Sequence, residues 1–297
     1  MLSVKPWRLL TVLQFFAALL FCICLGAVIS GILQKLKLDG FRQPDDFGNL
    51  LIGTLSFQGA ACALILIFWR RHQIGWRAGF GFSGPQLRRA LGLALLVFPG
   101  ALLVVWLLQA ACVCTLTALG HPPEDQTAVQ LIESARSWWA RAYFTVFAVV
   151  LAPVTEEFIF RGLLYPCAKQ FGTSKMLASG IGFLVVLWAT FSLHHIFSLN
   201  LFLALGISLL FAFGILYPLL KRFSVISLST VFVSFLFALI HFDAAIFLPL
   251  LLLALVLTWL YERTDNLLAP ITVHALFNAS NLAMLVVKHL YVDPHAS

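Results

Sequence analysis

Apolar runs of about 20 residues, parted by short polar stretches, recur along the whole chain. A run of that length suffices to carry one helix across a bilayer core. The runs lie at about Leu9–Leu33, Leu50–Trp69, Ala90–Leu119, Ala142–Tyr165, Leu177–Phe197, Leu199–Leu220, Val225–Phe242, Ala244–Tyr261 and Leu267–Val287. They predict an all-α protein, a polytopic transmembrane helical bundle of about eight or nine spans. The first run is longer than the roughly 7–15 residues of a signal-peptide core, so it is expected to stay as a span. Pro99-Gly100 marks a kink in the third run. His121 to Asp125 reads as a turn, and residues 126–141 as an interfacial helix with Trp138, Trp139 and Arg141 in its belt. Almost nothing joins the fifth and sixth runs, which read as a helical hairpin.

Composition narrows the class. Of 297 residues, 61% are hydrophobic and 10% charged, against about 25% charged in soluble domains. No separate soluble domain fits between the runs. The net charge of +7 is spread over short loops, which points to membrane topology and away from nucleic acid. With nine spans and a cytoplasmic N-terminus, twelve of the 19 Lys and Arg fall on that side, six fall opposite, and Arg161 lies within the membrane. This bias predicts a multi-pass protein of the plasma (inner) membrane with its N-terminus in the cytoplasm. The six cysteines sit in or beside apolar runs and complete no zinc pattern, so they read as small apolar residues.

The fourth run contains Thr155-Glu156-Glu157-Phe158-Ile159-Phe160-Arg161-Gly162. Every other acidic residue lies in a loop or at a span end. Each charge in a bilayer core costs roughly 2.5–3.5 kcal/mol on insertion scales, so such groups pair or line a polar cavity. On a helix Glu157 and Arg161 are four apart and share a face, with the acid first. Glu156 is turned about 100° from Glu157. One carboxylate therefore has a partner in its own helix, and the other needs a histidine, a water or a metal from elsewhere. A purely structural ion pair would not need the second Glu.

Two later runs carry the complement. His241 closes Phe237-Ala238-Leu239-Ile240-His241. His274 and Asn278 are four apart on one face, with Asn281 on the same stripe. Glu, two His and Asn from three spans can converge on one water. Glu with a neutral His holds and deprotonates it, while a second His and an Asn donate to a developing oxyanion. Glu156, His241 and His274 would equally serve as zinc ligands with an open position.

Glu-Glu-x-x-x-Arg, then Phe-x-x-x-His, then His-x-x-x-Asn, each in an apolar run, resembles the motif set of the CPBP family, the CAAX protease and bacteriocin-processing or Abi family of intramembrane proteases. The resemblance covers about Ala142 to Val287. It implies Glu156 as general base, Glu157 and Arg161 as a supporting pair, His241 as a holder of the water, and His274 and Asn278 as oxyanion donors. Residues 1–141 would then be N-terminal spans and an interfacial helix, and residues 142–288 the catalytic core. The distance from Glu156 to His241, 85 residues, is far longer than the family's usual spacing. The excess matches the hairpin at about 177–220, which reads as an insertion. That insertion carries its own Phe191-x-x-x-His195, with His194 beside it; the surroundings of His241 favour His241 for the site.

The expected function is therefore an intramembrane endopeptidase that uses activated water on a membrane-bound peptide or protein, with the lipid bilayer as its other partner and no nucleic acid. The rival readings are a non-proteolytic scaffold or bacteriocin-immunity-type protein that keeps the motif, and a proton-coupled transporter using Glu156 and the histidines as a relay.

Overall fold

The computed structural model describes residues 2–43, 46–73, 75, 79–82, 84–123, 138–241 and 243–291. Among them are nine long helical segments and no strand. They are α1 Leu9–Lys35, α2 Phe47–His72, α3 Gly84–Ala118, α4 Trp138–Phe171, α5 Ser174–His195, α6 Leu201–Leu220, α7 Val225–Leu239, α8 Ala244–Thr264 and α9 Leu268–Tyr291. Eight are long and apolar enough to cross a membrane, which makes this a multi-pass integral membrane protein. The exception is α7. Its 15 residues reach about 22 Å at 1.5 Å per residue, short of a hydrocarbon core of about 30 Å.

All nine predicted runs are helical, with shifted ends. α4 extends past its apolar run at both ends. Of the expected interfacial helix, residues 126–137 lie outside the described residues; Trp138 to Arg141 instead open α4. Trp138 and Trp139 are exposed there and stack on each other. The expected turn at 121–125 is described only as far as Pro123. Pro99 lies within a continuous α3. α7 ends three residues before its run does.

The centre of the bundle is α8, which packs on α3, α7 and α9. Leu253, Leu257 and Leu260 of α8 are buried with Ala90 and Ala94 of α3 and Val273 of α9. Lipid tails are as apolar as leucine, so close packing holds these helices together, not expulsion from water. The α5–α6 hairpin is peripheral. α5 rests on α7, and α6 packs chiefly on α5, with Phe202 and Leu210 exposed.

One end of the bundle is locked by polar contacts. Lys5 Nζ meets Asp265 Oδ1 at 2.7 Å, and Lys169 Nζ meets Glu262 Oε1 at 2.8 Å. The Leu2 N–H donates to Glu262 Oε1 at 3.2 Å. Fully buried Asn266 donates Nδ2 to the Gly81 carbonyl at 2.7 Å. Gly81 has φ +77°, and a Cβ there would collide with the Asp265 carbonyl; the left-handed backbone and the close approach both demand glycine. The N-terminal segment, the α2–α3 loop, the end of α4 and the α8–α9 turn thus meet on one side, as up-and-down alternation through nine runs requires.

Candidate active site

The acidic pair sits on a stretch of α4 bounded by two wide helical turns, Phe147–Leu151 and Phe158–Leu164. Each ends two residues before a proline, Pro153 and Pro166. A proline inside a helix has no N–H to give and its ring crowds the carbonyl four residues back; switching to bonds five residues apart relieves the clash, and such bulges recur at functional sites. At the first turn the Ala152 N–H reaches back five residues to the Phe147 carbonyl. The Ala148 carbonyl would next receive Pro153, which has no N–H. Asn278 of α9 supplies the donor instead, Nδ2 to Ala148 O at 2.8 Å. A proline in α4 thus ties down the residue expected to face the reaction.

Glu157 and Arg161 are both wholly buried and meet at 2.7 Å, the pairing their spacing predicts. The guanidinium is further satisfied by α8, through Nη2 to the Ala254 carbonyl at 3.0 Å and Nε to Thr258 Oγ1 at 3.4 Å. It lies 4.6 Å from the centre of the Phe237 ring of α7, a cation–π contact. His274 Nδ1 meets the same Glu157 oxygen at 2.9 Å. With the carboxylate ionised against Arg161, the imidazole must donate there, which leaves Nε2 facing outward. Glu157 and Arg161 therefore join α4, α7, α8 and α9.

Glu156 stands apart from this knot. Its Oε2 is buried and makes no hydrogen bond; His274 Nε2 lies 3.9 Å from it. It borders a cavity of about 300 Å³ that His241, His274 and Asn278 also line. All four sequence-predicted site residues are thus brought to one space. His241 reaches it because α7 is short. α7 ends at Leu239 and α8 opens at Ala244, and His241, between them, lines the same cavity as mid-helix Glu156. Irregular backbone within a membrane bundle is tolerated where it lines a cavity. Phe237 O accepts a hydrogen bond from His241 Nδ1 at 2.8 Å, so Nε2 of the neutral ring carries the lone pair.

Residues 137–217 and 210–280 match the type II CAAX prenyl endopeptidase Rce1-like family. The chain belongs to the CPBP family. The matched segments contain all three motifs. The family is one of CAAX-protease-like membrane endopeptidases. No curated protein and no solved structure matches this CPBP chain.

Asn281 of α9, which the sequence set on the stripe of His274 and Asn278, also lines the cavity, and Trp106 Nε1 donates to its Oδ1 at 2.8 Å. Sequence reasoning missed Gln109 of α3, which lines it too. A lone amide in the apolar third run was the available signal for Gln109. His194 lies elsewhere, with Nδ1 on the Leu199 carbonyl at 2.8 Å; the side chain of His195 is outside the described residues. As a metal centre the donors fit poorly. Among the described residues no three His, Cys, Asp or Glu side chains form a ligand set, although Glu156, His241 and His274 share the cavity.

Proposed function

We propose that this protein is an intramembrane endopeptidase that hydrolyses a peptide bond of a membrane-associated substrate with a water activated by Glu156. The supporting observation is the buried, unpartnered Glu156 Oε2 beside two imidazoles whose Nδ1 atoms are already engaged. A water held between Glu156 and the Nε2 of neutral His241 gives its proton to Glu156 as its oxygen attacks the carbonyl carbon. The oxyanion draws on the second N–H of the Asn278 amide, and on His274 Nε2 once both ring nitrogens carry protons. Glu156 then returns the proton to the departing amine. Glu157 and Arg161 touch no reacting atom in this scheme; they hold His274 and the helices in place. Zinc on Glu156, His241 and His274 is the competing arrangement, and a chelator that stops cleavage would favour it.

The test is cleavage in reconstituted vesicles, read by mass spectrometry of membrane peptides. Peptides produced by wild type and absent with Glu156→Gln are expected, with the variant folded. Cleavage by Glu156→Gln equal to that of wild type would remove Glu156 from the role of base, and no cleavage by wild type would leave the scaffold reading in its place.

A further inference from the structure

A second cavity, of about 430 Å³, lies between the α5–α6 hairpin and α7–α8 and shares no lining residue with the candidate active site. Leu187 and Trp188 of α5, Leu205 of α6, Ala238 and Leu239 of α7 and Phe247 of α8 make its walls. Its size falls within the roughly 300–1,000 Å³ of sites that hold small ligands. The polar groups gather at one end. His194 closes α5 there, and Asp243 opens α8, accepting the Ala245 N–H at 2.8 Å. Thr190, one turn from His194, has a buried Oγ1 with no hydrogen-bond partner. A helical threonine ordinarily satisfies that hydroxyl on its own backbone, so this one is left for something else.

Of the helices around this cavity, α5, α6 and α8 are long and apolar enough to cross a bilayer, which makes lipid the medium expected at its mouth. Its wall on α5 runs from Val186 to His194, about 12 Å along the axis. A slot that is apolar over this length and polar at the end where α5 and α7 finish is complementary to one acyl chain with its headgroup at the interface. Among the described residues lining it, Asp243 is the one carboxylate, and no Lys or Arg is with it. A carboxylate there favours an ammonium-bearing headgroup and repels an anionic one.

We propose that this cavity binds one acyl chain of an amine-bearing, zwitterionic glycerophospholipid of the surrounding bilayer. The chain would rest on Ala238 and Leu239, the residues just before the turn that presents His241, and so brace that turn from outside the site. The proposal stands independently of the proteolytic reading.

The test is native mass spectrometry of the full chain, extracted in mild detergent from vesicles of equal phosphatidylethanolamine and phosphatidylglycerol. Wild type is expected to retain one phosphatidylethanolamine. Leu205→Trp, which fills the cavity from α6, should retain at least tenfold less. Asp243→Asn keeps a capping oxygen for α8 and should retain lipid without the headgroup preference. Equal retention of phosphatidylglycerol by wild type, or unchanged retention by Leu205→Trp, would overturn the proposal. So would displacement of the phospholipid by a lipidated peptide, which would assign the cavity to a substrate's own anchor.

Discussion

The α5–α6 and α7–α8 hairpins begin from the same pattern. Each has Phe-x-x-x-His at the end of its first helix, Phe191 to His195 and Phe237 to His241, and each ends in charged residues, Lys221-Arg222 and Glu262-Arg263. The family match also comes in two pieces, the first reaching into α6 and the second starting there. Their surroundings differ. Half of the α8 span is buried within the protein, against 17% of α6. α8 gives a carbonyl and a hydroxyl to Arg161, whereas α6 gives nothing to the site. In the second hairpin the first helix, α7, stops short, and its histidine lines the cavity that Glu156 borders. In the first, α5 is 22 residues long and His194 finishes beside a different cavity. A histidine motif in a membrane helix becomes a site only when helix length and a packed partner set it at the depth of the acid. We propose that α5–α6 is an inserted, auxiliary copy of the α7–α8 unit.

The sharpest way to break that comparison is to remove the histidines. His241→Ala should lower cleavage by about 10²–10⁴-fold, the range of a positioned acid–base group, while the His194→Ala/His195→Ala double variant stays close to wild type. A dead double variant with an active His241→Ala would place the wrong hairpin at the site. Next in size is Arg161→Ala. It strands Glu157 in the core and should cost about 3–5 kcal/mol, seen as a large drop in detergent thermal stability. Glu156→Gln should barely move that transition, because the Glu156 Oε2 has no hydrogen bond to lose. If Glu156→Gln proves the worse destabiliser, the two carboxylates have exchanged roles. Asn278→Ala comes third. It leaves the Ala148 carbonyl unpaired at a cost of about 1–3 kcal/mol, besides slowing cleavage. Smallest is Leu210→Ala on the outer face of α6, expected within about 0.5 kcal/mol of wild type; a loss rivalling that of Asn278→Ala would show that the first hairpin is as integral as the second. Orientation is a separate check. Reporters fused at Ser83 and Ser297 should give opposite answers, with Ser83 cytoplasmic if the basic-residue bias sets the topology.

Much of this was written locally. Run length and the scarcity of charge are properties of consecutive residues, so helix number and the up-and-down order follow from the chain alone. The spacing of Glu157 and Arg161 is one helical turn, so their pairing, and the isolation of Glu156, also follow from it. Which histidine joins Glu156 does not, because two segments fit the same short pattern and differ only in what packs behind them. The depth of His241 depended on α7 ending three residues before its apolar run ended, at a turn that the cavity makes tolerable. The Ala254 carbonyl has no side-chain signature at all, and Thr258 and Asn281 become partners, and Gln109 a wall of the cavity, only through helices far apart in sequence. The bond from Asn278 to Ala148 needed a proline in α4 to free a carbonyl and α9 to be packed against it. Sequence by itself determined which residues must be helical, which charges must be buried and which of two adjacent carboxylates keeps its own partner, because those depend on distances along one helix. Tertiary structure decided which groups face the unpaired carboxylate, because in a bilayer that choice rests on helix ends, depth and close packing between segments.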